Sequence, residues 1–221
     1  MALELVAFDI ETTGFGVDDV VTVVGFAFPM GVRVFVQTAG RNADGLEARV
    51  RDRVDGHVGV STHTGERELL EAVGEFAIDR FRDSEILLVA YNGETWKAGF
   101  DLPFLRTRLA RCGVEWPFRD VPYADVMPIV TQRFNIATDD EGSASDLVSV
   151  YDTLCTGEYS DLDPFGESAE AVTAFEKARF EVLVMHNVAD VLRTRELGRL
   201  AQSYCSKSDF KLKSLTPTIH D

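Results

Sequence analysis

Between Leu3 and Gln37 the chain sets down three apolar runs in quick succession: Leu3 to Glu11, Val20 to Phe28 and Val32 to Gln37. They are too short for packed helices and rich in β-branched and aromatic residues, which reads as strand. Pro29-Met30-Gly31 separates the second and third runs and predicts a tight turn, hence an antiparallel hairpin. Residues 38–64 are polar and glycine-rich, and no element is assigned to them. From Glu66 to Phe81 the apolar residues Leu69, Leu70, Val73, Phe76, Ala77 and Phe81 recur at helical spacing. Ile86 to Tyr91 is a short buried strand, and Pro103 to Cys112 is a helix stopped by Gly113. A further short strand is expected within Pro117 to Tyr123, and a helix from Asp125 to Phe134 with Pro128 in its first turn. Thr138 to Ser145 reads as a loop, Leu147 to Leu154 and Ala169 to Phe175 as short helices, and Glu181 to Tyr204 as a long amphipathic helix. This order predicts an α/β fold, a mixed sheet flanked by helices on both faces. One domain is expected over residues 1–205, with a C-terminal tail over 206–221.

Three segments carry chemistry. The first is FDIETTG, Phe8 to Gly14. Side chains on a strand alternate with period two, so Asp9 and Glu11 project from one face. Two carboxylates so close repel one another unless a cation sits between them. Oxygen donors without sulfur suit Mg²⁺ or Mn²⁺. The second is YNGETWKAGFDLPFLRTRL, Tyr91 to Leu109, where Asp101 stands at the mouth of a helix. An Asp in a first turn also has a purely structural use, because it complements the helix dipole. FDIETTG upstream tips the reading toward a metal ligand. The third is LVMHNVADVLRTREL, Leu183 to Leu197, in which His186 and Asp190 are four residues apart and so neighbours on one helical face. Such a pair can place a metal-binding carboxylate beside a base whose pKa lies near neutrality.

In this order the three segments resemble the exonuclease motifs of the DEDD 3′–5′ exonucleases, which include polymerase proofreading domains. HNVAD and the preceding DPFGESAEAV look most like the YprB-type branch, related to family-B polymerase exonuclease domains. The resemblance spans roughly residues 3–200 and implies a ribonuclease H-like fold. It implies that Asp9, Glu11, Asp101 and Asp190 hold two divalent cations, Mg²⁺ or Mn²⁺, and that His186 occupies the general-base position. The expected substrate is the 3′ end of single-stranded DNA or RNA, with Thr12, Asn92, Trp96 and Lys97 as substrate-binding candidates. The sequence departs from the pattern twice. The step from His186 to Asp190 is four, as in the Tyr-type members, where the His-type members have five. Asn92 to Asp101 is also longer than usual, and the added GETWKAG loop is either a base-stacking, phosphate-touching element or an ordinary exposed loop. An endonuclease on the same fold, or a silent nucleic-acid-binding module, is the alternative reading.

Composition closes off other classes. No apolar run approaches the roughly 20 residues of a membrane span. The N-terminal Met1-Ala2-Leu3-Glu4 lacks the basic start and apolar stretch of a signal peptide, so a cytoplasmic chain is expected. Cys112, Cys155 and Cys205 are odd in number and widely spaced, unlike a disulfide frame or zinc site. GxGxxG and Walker A loops are absent. The net charge is −15, and only five of the 22 basic residues are lysine. Such acidity opposes a nucleic-acid partner in dilute buffer. It also fits a high-salt cytoplasm, a reading favoured by the scatter of charge along the chain. There the counterion-release contribution to binding largely disappears. If that reading holds, the melting temperature rises from low salt to molar KCl as screening weakens self-repulsion. A flat or falling profile would return the protein to the ordinary acidic class.

Overall fold

A computed structural model describes residues 3–82, 85–94, 100–137, 145–155, 157–167 and 169–219. The three N-terminal runs form β1 (Glu4–Thr12), β2 (Val21–Phe28) and β3 (Gly31–Gln37), an antiparallel meander. Next come α1 (Leu46–Arg51), β4 (His57–His63), α2 (Glu66–Phe81), β5 (Ile86–Ala90), α3 (Asp101–Cys112), β6 (Pro122–Asp125) and α4 (Val126–Arg133). The chain ends with α5 (Leu147–Leu154), α6 (Glu170–Glu176), α7 (Phe180–Tyr204) and β7 (Lys213–Ser214). The sheet order is β4-β3-β2-β1-β5-β6-β7. Strands β5 and β6 run parallel to β1 through the centre, and β4 runs parallel to β3. This is the ribonuclease H-like mixed sheet that the sequence predicts, with helices on both faces. No helix among the described residues is long and apolar enough to cross a membrane.

The alternation along β1 decides what lies on each face. Val6, Phe8 and Ile10 join a core made with α2 and α3, while Leu5 and Ala7 join the core made with α1, α4, α5, α6 and α7. Both faces are covered, so the strand is apolar almost without interruption until its last residues. On the α2 face, Phe26 packs against Phe8, Phe35, Phe76, Phe81 and Phe118, with ring centroids 5.4–6.4 Å apart within this group. Each such pair adds about 0.5–1.5 kcal/mol beyond the area it buries.

Three differences from the sequence reading have physical causes. Residues 38–64 hold α1 and an edge strand. In β4 only Val58 and Val60 are buried, so the apolar signal is two residues long. The strand expected over Pro117–Tyr123 begins only at Pro122, because Trp116 and Phe118 pack against the α2-side core from irregular backbone. The stretch read as a tail is docked. Its Lys213–Ser214 strand pairs antiparallel with β6, Phe210 and Leu215 are buried, and the Trp116 indole donates to the Leu215 carbonyl at 2.9 Å. Its lysine-rich surface hides those two apolar anchors. The Thr138–Ser145 loop lies, except for Ser145, outside the described residues.

Helix α7 lies across β1 and β2, and Gly25 makes this approach possible. A Cβ built on Gly25 would sit 1.9 Å from Asn187 Oδ1 on α7. Gly25→Ala is therefore expected to cost about 1–3 kcal/mol through overpacking. Thermal unfolding should show this as a drop of about 2–10 °C in Tm; an unchanged Tm would mean that α7 can lift off without penalty.

Candidate metal centre

The parallel strands β1, β5 and β6 end on the same edge of the sheet, the edge on which α/β folds place their ligands. Asp9 and Glu11 have the parity of Leu5 and Ala7, so they point toward α7. A register shift between Glu11 and Thr12 marks the end of regular pairing with β2. Asp101 is the first residue of α3 and is buried. Gly93 makes room for it, since a Cβ there would lie 2.7 Å from Asp101 Oδ2. Asn92, just before, adopts a left-handed backbone (φ 58°) that Asn tolerates well. Its N–H donates to Asp125 Oδ1 at 2.8 Å, and its carbonyl accepts from Phe100 N–H at 3.1 Å. Asn92 is thus tied both to the end of β6 and to Phe100, the neighbour of Asp101. Thr12 is also turned inward, its hydroxyl donating to the Gly14 carbonyl at 2.8 Å. Trp96 and Lys97 lie outside the described residues.

Helix α7 supplies the rest. His186 Nε2 is 3.8 Å from both Glu11 Oε1 and Asp190 Oδ2, and one donor atom from each of these three residues falls within 4.8 Å of the others. One residue further on, Asn187 donates from Nδ2 to Asp9 Oδ2 at 2.8 Å. Arg193 is only 1% exposed and donates from Nη1 to Asp190 Oδ1 at 3.1 Å and to Asp163 Oδ2 at 3.0 Å. His186 Nδ1 lies 2.9 Å from both carboxylate oxygens of Asp163.

Asp163, Asn187, Arg193 and Phe15 were not among the residues expected from sequence. His186, Asp190 and Arg193 stand at i, i+4 and i+7, so the buried arginine was legible as part of one helical face. Asp163 precedes Pro164 and reads as an ordinary turn residue, with nothing to connect it to His186. Phe15 follows FDIETTG in the loop off β1 and is 73% exposed, its ring 5.0 Å from that of Phe100, which adjoins Asp101. The loop is secured by Thr13 and Asp19, whose side chains bond at 3.0 Å. Arg108 holds it too, donating to the Val17 carbonyl at 3.0 Å and pairing with Glu66 in a partly buried bridge.

Electrostatics confirm the crowding. Burial, followed by the charges of Asp101, Glu11 and Asp190, raises the Asp9 pKa well above the usual carboxylate range. Burial and the charges of Asp190 and Asp101 do the same to Glu11. Asp101 is pushed up to about 8 by burial and Asp125. Asp190 is raised by burial, against the pull of His186 and Arg193. Burial alone would lower the His186 pKa, but its bond to Asp163 and the charges of Asp190, Asp163 and Asp9 outweigh this and raise it. The donor set of Glu11, His186 and Asp190 could hold a hard divalent cation. It offers oxygen ligands with one imidazole, in a place where negative charge is disfavoured unless a positive charge joins it. A scan against protein-family models and a search of curated proteins find no match for the chain. The geometry stands on its own.

The raised carboxylates have a thermodynamic signature. A carboxyl group whose pKa is higher folded than unfolded favours the folded state when protonated, and loses that contribution as pH rises through the folded value. For the metal-free protein the loss extends upward to about pH 8, the value for Asp101. His186, also raised, acts in the same direction. The Tm of metal-free protein should fall between about pH 5 and 8, and Mg²⁺ or Mn²⁺ should restore most at the upper end of this range. Calorimetric scans in EDTA and in excess Mn²⁺ check this; parallel profiles with no metal-dependent gap would contradict it.

Proposed function

We propose that this protein is a metal-dependent 3′–5′ exonuclease that acts on single-stranded nucleic acid. The observation that carries the reading is the meeting of Glu11, His186 and Asp190 within 4.8 Å of one another, with Asp9 bonded to Asn187 beside His186 and Asp101 buried at the start of α3. The four carboxylates would hold two divalent cations, Mg²⁺ or Mn²⁺. When bound, these ions supply Lewis acidity that activates water and neutralises charge on the scissile phosphate.

The protein's own groups have separable tasks. His186 takes a proton from the attacking water at Nε2, since Nδ1 is committed to Asp163. Hydrolysis joins the water oxygen to phosphorus and breaks the P–O3′ bond. The 3′ oxygen leaves with the bonding pair and takes a proton from solvent to become the hydroxyl of the shortened strand. His186 gives its proton back to solvent, and a nucleoside 5′-monophosphate departs. Phe15 offers an exposed ring beside the site on which a terminal base can stack, as single-strand binders do without reading sequence. Asn187 holds Asp9 by its side chain and leaves the other Asp9 oxygen to the site.

The test is a gel assay in high salt with 5′-labelled single-stranded DNA and RNA and either cation. Stepwise shortening from the 3′ end with mononucleotide products is expected, whereas random internal fragments would identify an endonuclease. Asp9→Ala and Asp190→Ala should be folded and inactive. His186→Ala should lower kcat by roughly 10²–10⁴-fold. Activity that persists undiminished in excess EDTA, or in Asp9→Ala, would sink the proposal.

A further inference from the structure

The polar network of the site continues past the four carboxylates into a segment with little regular structure. Ser160–Leu162 forms a single 3-10 turn, and Asp163, Pro164 and Phe165 follow it in irregular backbone. From this short stretch three groups reach α7. Both oxygens of Asp163 meet Nδ1 of His186, and Oδ2 also accepts from Arg193. The Ser160 carbonyl accepts from Nη2 of the same arginine at 3.2 Å. The Phe165 ring covers the His186 imidazole, with centroids 5.1 Å apart. The Phe165 N–H in turn donates to Asp163 Oδ1 at 3.0 Å, fixing the carboxylate's own orientation.

We infer that Asp163 is a positioning residue for the centre, part of a bracket over residues 160–165 that aims Nε2 of His186 at the gap between Glu11 and Asp190. The role of His186 in hydrolysis rests on the function proposed above; the aiming itself does not. A neutral imidazole carries one N–H, and the partner of one nitrogen decides which nitrogen keeps the lone pair. A carboxylate can only accept, so Asp163 holds the proton on Nδ1 and leaves Nε2 free to face the site. That free nitrogen is what either proton abstraction or metal ligation requires.

Asp163 is not itself placed as a ligand. Its oxygens are already bonded to His186, Arg193 and Phe165, and its side chain is 7% exposed. Arg193 adds a second constraint, because Nη1 touches Asp163 and Asp190 together. One guanidinium nitrogen thereby sets the spacing between the carboxylate that aims the base and a carboxylate of the site. It also occupies Oδ1 of Asp190 and leaves Oδ2 toward His186.

The decisive measurement is the ¹⁵N spectrum of the histidine side chains in metal-free protein, at a pH alkaline enough to leave the rings neutral. With four histidines in the chain, the His186 signals are assigned by their loss in His186→Ala. Wild-type His186 should carry its proton on Nδ1. In Asp163→Asn the side chain offers both donor and acceptor, so Nε2–H should appear, kcat should fall roughly 10²-fold or more, and KM should change little. Asp163→Glu, which keeps the acceptor, should restore the wild-type tautomer and part of kcat. A wild-type protein that cuts neither DNA nor RNA would end the nuclease reading, while the tautomer comparison would still decide this one. If Asp163→Asn does not fold, the wild-type spectrum alone decides. A wild-type proton on Nε2, or a folded Asp163→Asn protein with an unchanged tautomer and wild-type kcat, overturns the inference.

Discussion

Bringing four carboxylates together out of bulk water works against folding, and the rest of the structure is arranged around that repulsion. Each of Asp9, Glu11, Asp101 and Asp190 loses hydration on burial and responds with a raised pKa, and the first three also feel charges of others in the group. Nothing local could hold such a group in place. Apolar packing does so from a distance: β1 is locked between two cores, and α7 is anchored along its length by Leu183, Val184, Val188, Val191 and Leu197. The hydrogen bonds from Asn187 and Arg193 are the fine adjustment, aimed at one oxygen each of Asp9 and Asp190. Asp190 thereby keeps its second oxygen toward His186.

Much of this was legible because it follows from periodicity. The two-residue repeat that puts Asp9 beside Glu11 also puts Leu5 and Ala7 on the same face, so the strand's own apolar residues announce which side the acidic pair will join. The four-residue step from His186 to Asp190 works the same way on a helix. These arguments need only local geometry. What they could not supply is the distance between β1 and α7, which depends on Gly25 lying opposite Asp9 in the sheet. A glycine in a β-branched run looks like a weakness until its partner helix is known.

The elements that escaped the sequence reading share a different property: their meaning is entirely nonlocal. Asp163 is 23 residues from His186 and sits in a turn whose composition explains it fully without any partner. Strand β4 has two buried valines and is defined by its pairing with β3, seven residues in register. The lysine-rich C-terminal segment has the charge of a solvated tail, yet Phe210 and Leu215 dock it against the sheet. In each case short-range composition was neutral or misleading, and a single long-range contact decided the outcome.

The parity of β1 couples stability to chemistry in a way that constrains how the protein can change. Phe8 and Ile10 serve the aromatic core, while Asp9 and Glu11, interleaved with them, serve the acidic site. Inserting or deleting one residue upstream in the strand would exchange the two sets. Carboxylates would enter a layer of phenyl rings, and Phe8 would turn toward the acidic cluster beneath α7. The strand can therefore tolerate substitution of one apolar side chain by another, but not a change of length. The spacing of the acidic pair is thus a stricter requirement of the fold than the identity of the apolar residue between them.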